Sequence, residues 1–231
     1  MDIKLYYCEA GKGEPLVMLH GNGESCLYFE NQIAYFSRSY RVVALDTRGH
    51  GASPRGREPF TIAQFAQDLY EFMVEKGIDS AHILGFSDGA NIALCFALRH
   101  QDMVKSLILN GANLDPAGVK PQVQLPIELG YRLSGRFAGS SYDARRAHEL
   151  LGLMVKDPNI APEELYGLTV PVLVIVGTRD LIKLSHSRLI CGSIAGARLA
   201  LVKGDHFIAA NNPADFNREV EIFLSEIKQQ P

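Results

Sequence analysis

The chain has 231 residues, 47% of them hydrophobic, and a formal net charge of −3. That is enough apolar material for one well-buried α/β core, so residues 1–231 are expected to form a single domain. The mildly acidic balance does not point to nucleic acid or an anionic membrane, and neither is expected as a partner.

The N-terminus, Met1-Asp2-Ile3-Lys4-Leu5, lacks a basic stretch followed by an apolar one, and no signal peptide is expected. No apolar run approaches the roughly 18 residues of a membrane span. Cys8, Cys26, Cys95 and Cys191 show no CxxC spacing. Their scatter reads as reduced thiols, which with the other features predicts a soluble cytoplasmic protein. There is no internal repeat and no low-complexity segment.

Short apolar runs alternate with amphipathic ones. Strands are predicted at Leu16–His20, Arg41–Asp46, Ala81–Gly85, Val104–Asn110, Val172–Gly177 and Leu199–Val202. The stretch Thr61–Lys76 sets Ile62, Phe65, Leu69, Phe72 and Met73 on one helical face. It opens with Thr61 and Gln64 in capping-box spacing and stops at Gly77. A small-residue helix follows Gly89, and Asn212–Lys228 repeats the amphipathic pattern with Phe216, Val220, Phe223 and Ile227. This alternation predicts an α/β fold: a mostly parallel central sheet with helices on both faces. Ligands of such sheets sit beyond the carboxyl ends of the strands. His20, Asp46, Ser87, Asn110 and Asp180 fall there. The long connection before Val172–Gly177 breaks the rhythm. Residues 113–135 are rich in Pro and Gly, and 142–156 look helical, with Ala147, Leu150, Leu151 and Met154 in register. About 113–160 is therefore expected to be a short lid insertion over the strand ends, against the plainer alternative of extra packed helices.

Gly85-Phe86-Ser87-Asp88-Gly89 lies between a predicted strand and a predicted helix. On such a hairpin the serine hydroxyl is pushed out of the fold, and the glycines are required because strand and helix pass too closely for a Cβ. A neutral serine is a poor nucleophile and needs a base and a group that orients the base. Asp180 follows one strand and His206 the next, giving the chain order Ser87, Asp180, His206, each just past a parallel strand. Asp205 adjoins His206 but cannot easily curl back to it. His50, His82, His100, His148 and His186 have no nucleophile-bearing turn to serve and read as packing or surface residues. Acyl transfer also needs oxyanion donors. The backbone N–H of Asn22, in His20-Gly21-Asn22-Gly23, and that of Asp88 are the candidates, and the Asn22 side-chain amide could instead reach a substrate.

Together these residues resemble the α/β-hydrolase fold superfamily, in its small serine hydrolase and esterase-like members. The resemblance runs through His20-Gly21-Asn22-Gly23, Asp46-Thr47-Arg48-Gly49-His50-Gly51-Ala52-Ser53, the Ser87 elbow, Gly177-Thr178-Arg179-Asp180 and Gly204-Asp205-His206-Phe207. It implies that Asp46 and Arg48 hold the loop beside the oxyanion hole. It also disfavours epoxide and haloalkane hydrolysis, whose relatives carry Asp where Ser87 stands.

The expected function is hydrolysis of a small-molecule carboxylic ester through an acyl-enzyme, with no cofactor and no metal. Lactone, amide, thioester or C–C hydrolysis, or perhydrolysis, would use the same triad. A ligand-binding relative that kept the fold is the rival of another class. Tyr131, Phe137, Tyr142 and Met154 could line an acyl pocket or simply pack the lid. Arg132, Arg136, Arg145 and Arg146 could meet a substrate carboxylate, but read better as a solvated face. Oligomeric state is left open.

Overall fold

The structure is a computed structural model that describes residues 1–228. Its strands are β1 (Tyr7–Ala10), β2 (Pro15–Leu19), β3 (Arg41–Leu45), β4 (Ala81–Phe86), β5 (Val104–Asn110), β6 (Val172–Gly177) and β7 (Arg198–Val202). They form one sheet in the order β1-β3-β2-β4-β5-β6-β7. β1 runs antiparallel to β3, and the other pairings are parallel. The helices are α1 (Glu30–Phe36), α2 (Ile62–Glu75), α3 (Asp88–Ala97), α4 (Pro121–Ser134), α5 (Tyr142–Lys156), α6 (Leu184–Ser193), α7 (Ile208–Asn211) and α8 (Pro213–Lys228). The predicted α/β class and its mostly parallel sheet are thus observed.

The apolar runs of the strands are continuous because both faces are covered. Val17, Leu19, Ile83, Leu107, Leu109, Val172 and Val174 point to one face and pack with Phe65, Leu69 and Phe72 of α2 and Leu94 of α3. Leu16, Met18, Leu84, Ile108, Leu173 and Ile175 point to the other, against Phe216, Val220, Phe223 and Leu224 of α8. Each such fully buried side chain contributes about 1.5–3 kcal/mol of transfer free energy.

Three local features go beyond or depart from the sequence reading. β1 was not foreseen. It pairs only with β3 at the sheet edge, and its residues are half-buried or exposed rather than an apolar run. The Pro- and Gly-rich 113–135 segment contains a full helix, α4. Pro121 stands in its first turn, where a missing N–H costs nothing, and Pro126 is accommodated inside it. The Thr61 capping box forms only by half. Gln64 N–H donates to Thr61 Oγ1 at 3.2 Å, but the Gln64 side chain turns to Asp68 Oδ1 at 3.0 Å.

α4 and α5 pack on each other, with the Tyr131 and His148 rings stacked at 4.3 Å. α5 rests on the loops that follow β2 and β3. Arg55 makes a two-pronged pair with Glu149 (2.9 and 2.8 Å), and Arg146 Nε donates to the Gly49 carbonyl at 3.3 Å. Among the described residues no helix is long and apolar enough to cross a membrane.

Candidate active site

Ser87 links β4 to α3 with φ +52° and ψ −119°. It is the only non-glycine residue at positive φ among the described residues. Such a conformation is costly for a side-chain-bearing residue and persists only where the surroundings impose it. Here they do. The Ser87 N–H donates to the Asn110 carbonyl at 2.8 Å, and the Ser87 carbonyl accepts from Ala90 and Asn91 N–H at 2.9 and 3.1 Å. The flanking glycines are required as expected. A Cβ on Gly85 would stand 2.5 Å from Ala90 Cα, and one on Gly89 would stand 1.9 Å from the Leu19 carbonyl oxygen.

Asp180 and His206 come together from the loops after β6 and β7. His206 Nδ1 lies 2.7 Å from Asp180 Oδ1. Asp180 Oδ1 also accepts from Ile182 N–H (2.9 Å) and Oδ2 from Gly177 N–H (3.1 Å), so the carboxylate is locked by its own turn. Both residues are buried. A carboxylate can only accept, so Nδ1 carries the proton, and in the neutral imidazole the lone pair is then on Nε2. The imidazole lies over Gly111, beside the strand end that receives Ser87 N–H, and its centroid is 4.8 Å from the Phe86 ring. No hydrogen bond joins Ser87 Oγ to His206 Nε2 in this structure. Asp205 accepts instead from Phe207 N–H at 2.9 Å and from Asn211.

The N–H groups of Asn22 and Asp88 have no acceptor among the described residues; that of Asp88 is an unpaired donor of a helix first turn. The Asn22 side chain is not free for a ligand. Its Nδ2 donates to Asp88 Oδ2 and to the Leu150 carbonyl of α5, both at 2.9 Å. Burial pushes the Asp88 carboxyl up to about 6, against the opposing hydrogen bond from Asn22.

His20 is buried, and its Nε2 accepts from Thr47 N–H at 3.0 Å, so Nδ1 donates to the Gly21 carbonyl at 2.7 Å. Asp46 joins two turns: Oδ1 accepts from Cys26 N–H (2.6 Å) and Oδ2 from Ala52 N–H (2.7 Å). Arg48, fully buried, is held by Asp68 through two contacts of 2.7 Å and by Asp2 at 2.7 Å. These contacts are structural in kind, as the resemblance implied. The other histidines make local contacts: His50 with the Arg48 carbonyl, His82 with Ser106, His186 with Leu114 N–H, and His100 stacked on Tyr70. Of the proposed pocket residues, Tyr131 is committed to His148, and Phe137 and Tyr142 are largely exposed. Arg145 pairs with Glu149 at 3.0 Å.

Two neighbours of the site escaped the sequence reading. Glu24 Oε2 accepts from Gly21 N–H at 3.1 Å, and burial pushes its carboxyl up to about 7. Tyr28 stacks on Phe86 at 4.3 Å. The available signal was an acid only two positions after the glycine-bounded Asn22.

A mostly parallel sheet with a strained serine at the β4–α3 turn and an acid-held histidine beyond β7 is the framework of a hydrolase. The sequence profile of the alpha/beta hydrolase fold family matches residues 14–138, and the chain belongs to that family. Among curated relatives, 3-oxoadipate enol-lactonase 2 of Acinetobacter baylyi is 25% identical over 255 aligned positions, covering 96% of this chain and 94% of that protein. Among solved structures, an enol-lactonase from Burkholderia xenovorans superposes with a TM-score of 0.82 at 25% identity, covering 96% of this chain and 97% of that one. A thermophilic esterase from Thermogutta terrifontis shares the fold, with a TM-score of 0.82 at 19% identity over 97% of this chain and 94% of its own.

Proposed function

We propose that the protein hydrolyses small-molecule carboxylic esters through an acyl-enzyme formed on Ser87. The observation that carries this reading is the 2.7 Å contact of His206 Nδ1 with Asp180 Oδ1, at the carboxyl ends of the strands, where Ser87 stands in its strained turn after β4. Ser87 Oγ turns about χ1 to His206 Nε2, which takes its proton as the oxygen bonds to the ester carbonyl carbon. The carbonyl oxygen becomes an oxyanion held by the N–H groups of Asn22 and Asp88. The C–O bond to the alcohol breaks, and His206 returns the proton to the leaving oxygen. Water, deprotonated by the same nitrogen, then cleaves the acyl–Ser87 ester. Asp180 keeps the imidazole in the useful tautomer and stabilises its cation. Catalytic contacts often tighten only when substrate is bound, which accords with the absent Ser87–His206 bond. In this reading residues 113–160 act as the lid.

A lactone, the cyclic form of the same bond, is the second reading. It is favoured by the likeness to two enol-lactonases across nearly the whole chain. Purified protein assayed on p-nitrophenyl esters of graded acyl length, beside a lactone and an amide, tests both. Turnover of the esters, lowered by several orders of magnitude in Ser87→Ala, is the expected result. A fluorophosphonate that fails to label Ser87 in the folded protein would instead favour a ligand-binding role.

A further inference from the structure

Cys8 and Cys26, eighteen positions apart, meet with their Sγ atoms 3.2 Å from each other. Cys8 is on the edge strand β1, opposite Ala44 of β3, and is partly exposed. Cys26 is buried at the start of the 3₁₀ turn Cys26–Phe29, directly after the loop that carries Asn22 and Glu24. We propose that this pair is a dithiol site that consumes one equivalent of a hydroperoxide and closes to an intramolecular disulfide.

The geometry is suited to this. Closing from the observed separation to the bonded distance of about 2.05 Å asks for a combined movement of roughly 1 Å. Both partners are held in place: Cys8 by the β1–β3 ladder, and Cys26 by its N–H on Asp46 Oδ1 at 2.6 Å. The two thiols are also unequal. Burial pushes the Cys26 thiol up, with Cys8 and Asp46 adding to it, so Cys26 is the poorer initial nucleophile. Cys8, the more exposed sulfur, reacts first. Its thiolate bonds to one peroxide oxygen, the O–O bond breaks, and the departing oxygen leaves as water or alcohol once protonated. Cys26 sulfur then bonds to the Cys8 sulfur. The S–O bond breaks, and the hydroxide leaves as water with the Cys26 proton. Two thiols are oxidised by two electrons, and the peroxide is reduced. The other cysteines lack such a partner: Cys191 Sγ contacts the Ala197 carbonyl at 3.4 Å, and Cys95 lies in α3.

The test is stoichiometric hydrogen peroxide added to the reduced full-length protein, followed by intact mass and non-reducing peptide mapping. The expected product is a monomer lighter by two hydrogens, with the Cys8 and Cys26 peptides linked, two of its four thiols lost to a thiol reagent, and reversal by dithiothreitol. In Cys26→Ser the Cys8 sulfenic acid should persist and be trapped by dimedone, whereas Cys8→Ser should give no adduct at position 26. Unmodified wild-type protein, a cross-link through Cys95 or Cys191, or oxidation of Cys8 to sulfinic acid without a cross-link would each overturn the proposal. The wild-type peptide map decides this even if a variant fails to fold, and it is independent of any ester turnover.

Discussion

Asn22 Nδ2 donates to the Leu150 carbonyl at 2.9 Å, tying the loop after β2 to α5 across 128 positions of sequence. The same nitrogen donates to Asp88 Oδ2, also at 2.9 Å. One primary amide thus joins α5, the loop after β2 and the residue that follows Ser87. Asn22→Ala removes both donated bonds and leaves a buried carboxylate without its side-chain donor, a loss of roughly 1–3 kcal/mol. Amide hydrogen exchange over 142–156 should accelerate relative to that in β4 and β5. Unchanged protection of α5 would show that this helix is seated by its other contacts alone.

The Asp88 carboxyl is raised from 3.8 to about 6, chiefly by burial. A folded-state value above the unfolded one means that the native state binds the proton more tightly. This stabilising contribution is full below about pH 4 and lost as pH rises through about 6. Asp88→Asn keeps an oxygen that can accept from Asn22 and never ionises. The variant should therefore gain on the order of 1–3 kcal/mol over wild type at pH 8, with the difference shrinking towards pH 4. Thermal melts at the two pH values check this; a gap independent of pH would remove Asp88 as its source.

Arg48 and Asp68 form a buried two-pronged pair, both contacts at 2.7 Å, with side-chain exposures of 0% and 2%. Breaking such a pair from one side strands a charge. Arg48→Met should cost about 3–5 kcal/mol, and Arg48→Met with Asp68→Leu should recover much of it. Urea midpoints of the two variants measure the difference, and equal losses would mean that packing of the Arg48 stem, not charge, dominates.

The elbow makes a steric prediction. Gly89→Ala would drive a methyl to 1.9 Å from the Leu19 carbonyl oxygen, a backbone atom that cannot turn aside. α3 must then move off β2, at a cost of several kcal/mol and with loss of the Ser87 geometry. Poor soluble yield or a strongly lowered Tm is expected. Gly192→Ala, where a Cβ meets no atom within 4 Å, is the matched control and should stay near wild type.

The elements readable from sequence were those with a single strong signal. β6 is apolar throughout, and β4 and β5 carry apolar runs, because each strand is covered on both faces, and α2 and α8 carry one buried stripe apiece. α4 was obscured for the converse reason. Leu125, Leu129 and Leu133 are exposed, only Gln124 is buried, and its prolines mimic a loop. At the site, the residues proposed for catalysis were legible because each follows a strand. The partners of Asn22 were not, since a contact with the Leu150 backbone leaves no mark on residue type. Glu24 was passed over because an acid in a glycine-rich loop ordinarily faces water, and its burial is a tertiary effect.

Asp180→Asn tests the proposed orienting role most directly. Oδ1 of Asp180 serves both His206 Nδ1 and Ile182 N–H, and Oδ2 serves Gly177 N–H. An amide has one acceptor oxygen. If its nitrogen faces His206, Nδ1 becomes the acceptor and the proton moves to Nε2, so the base is lost. If its nitrogen faces Gly177, two donors oppose each other across 3.1 Å. Either arrangement weakens the imidazolium on which the proposed acyl-transfer step depends. kcat on a p-nitrophenyl ester should fall by roughly 10³–10⁴ with KM changed little, because the tautomer matters in the transition state and not in substrate binding. Near-normal kcat in a folded Asp180→Asn protein would transfer the orienting role to another acid, and Glu24, whose raised carboxyl lies near His206, would be the next to substitute.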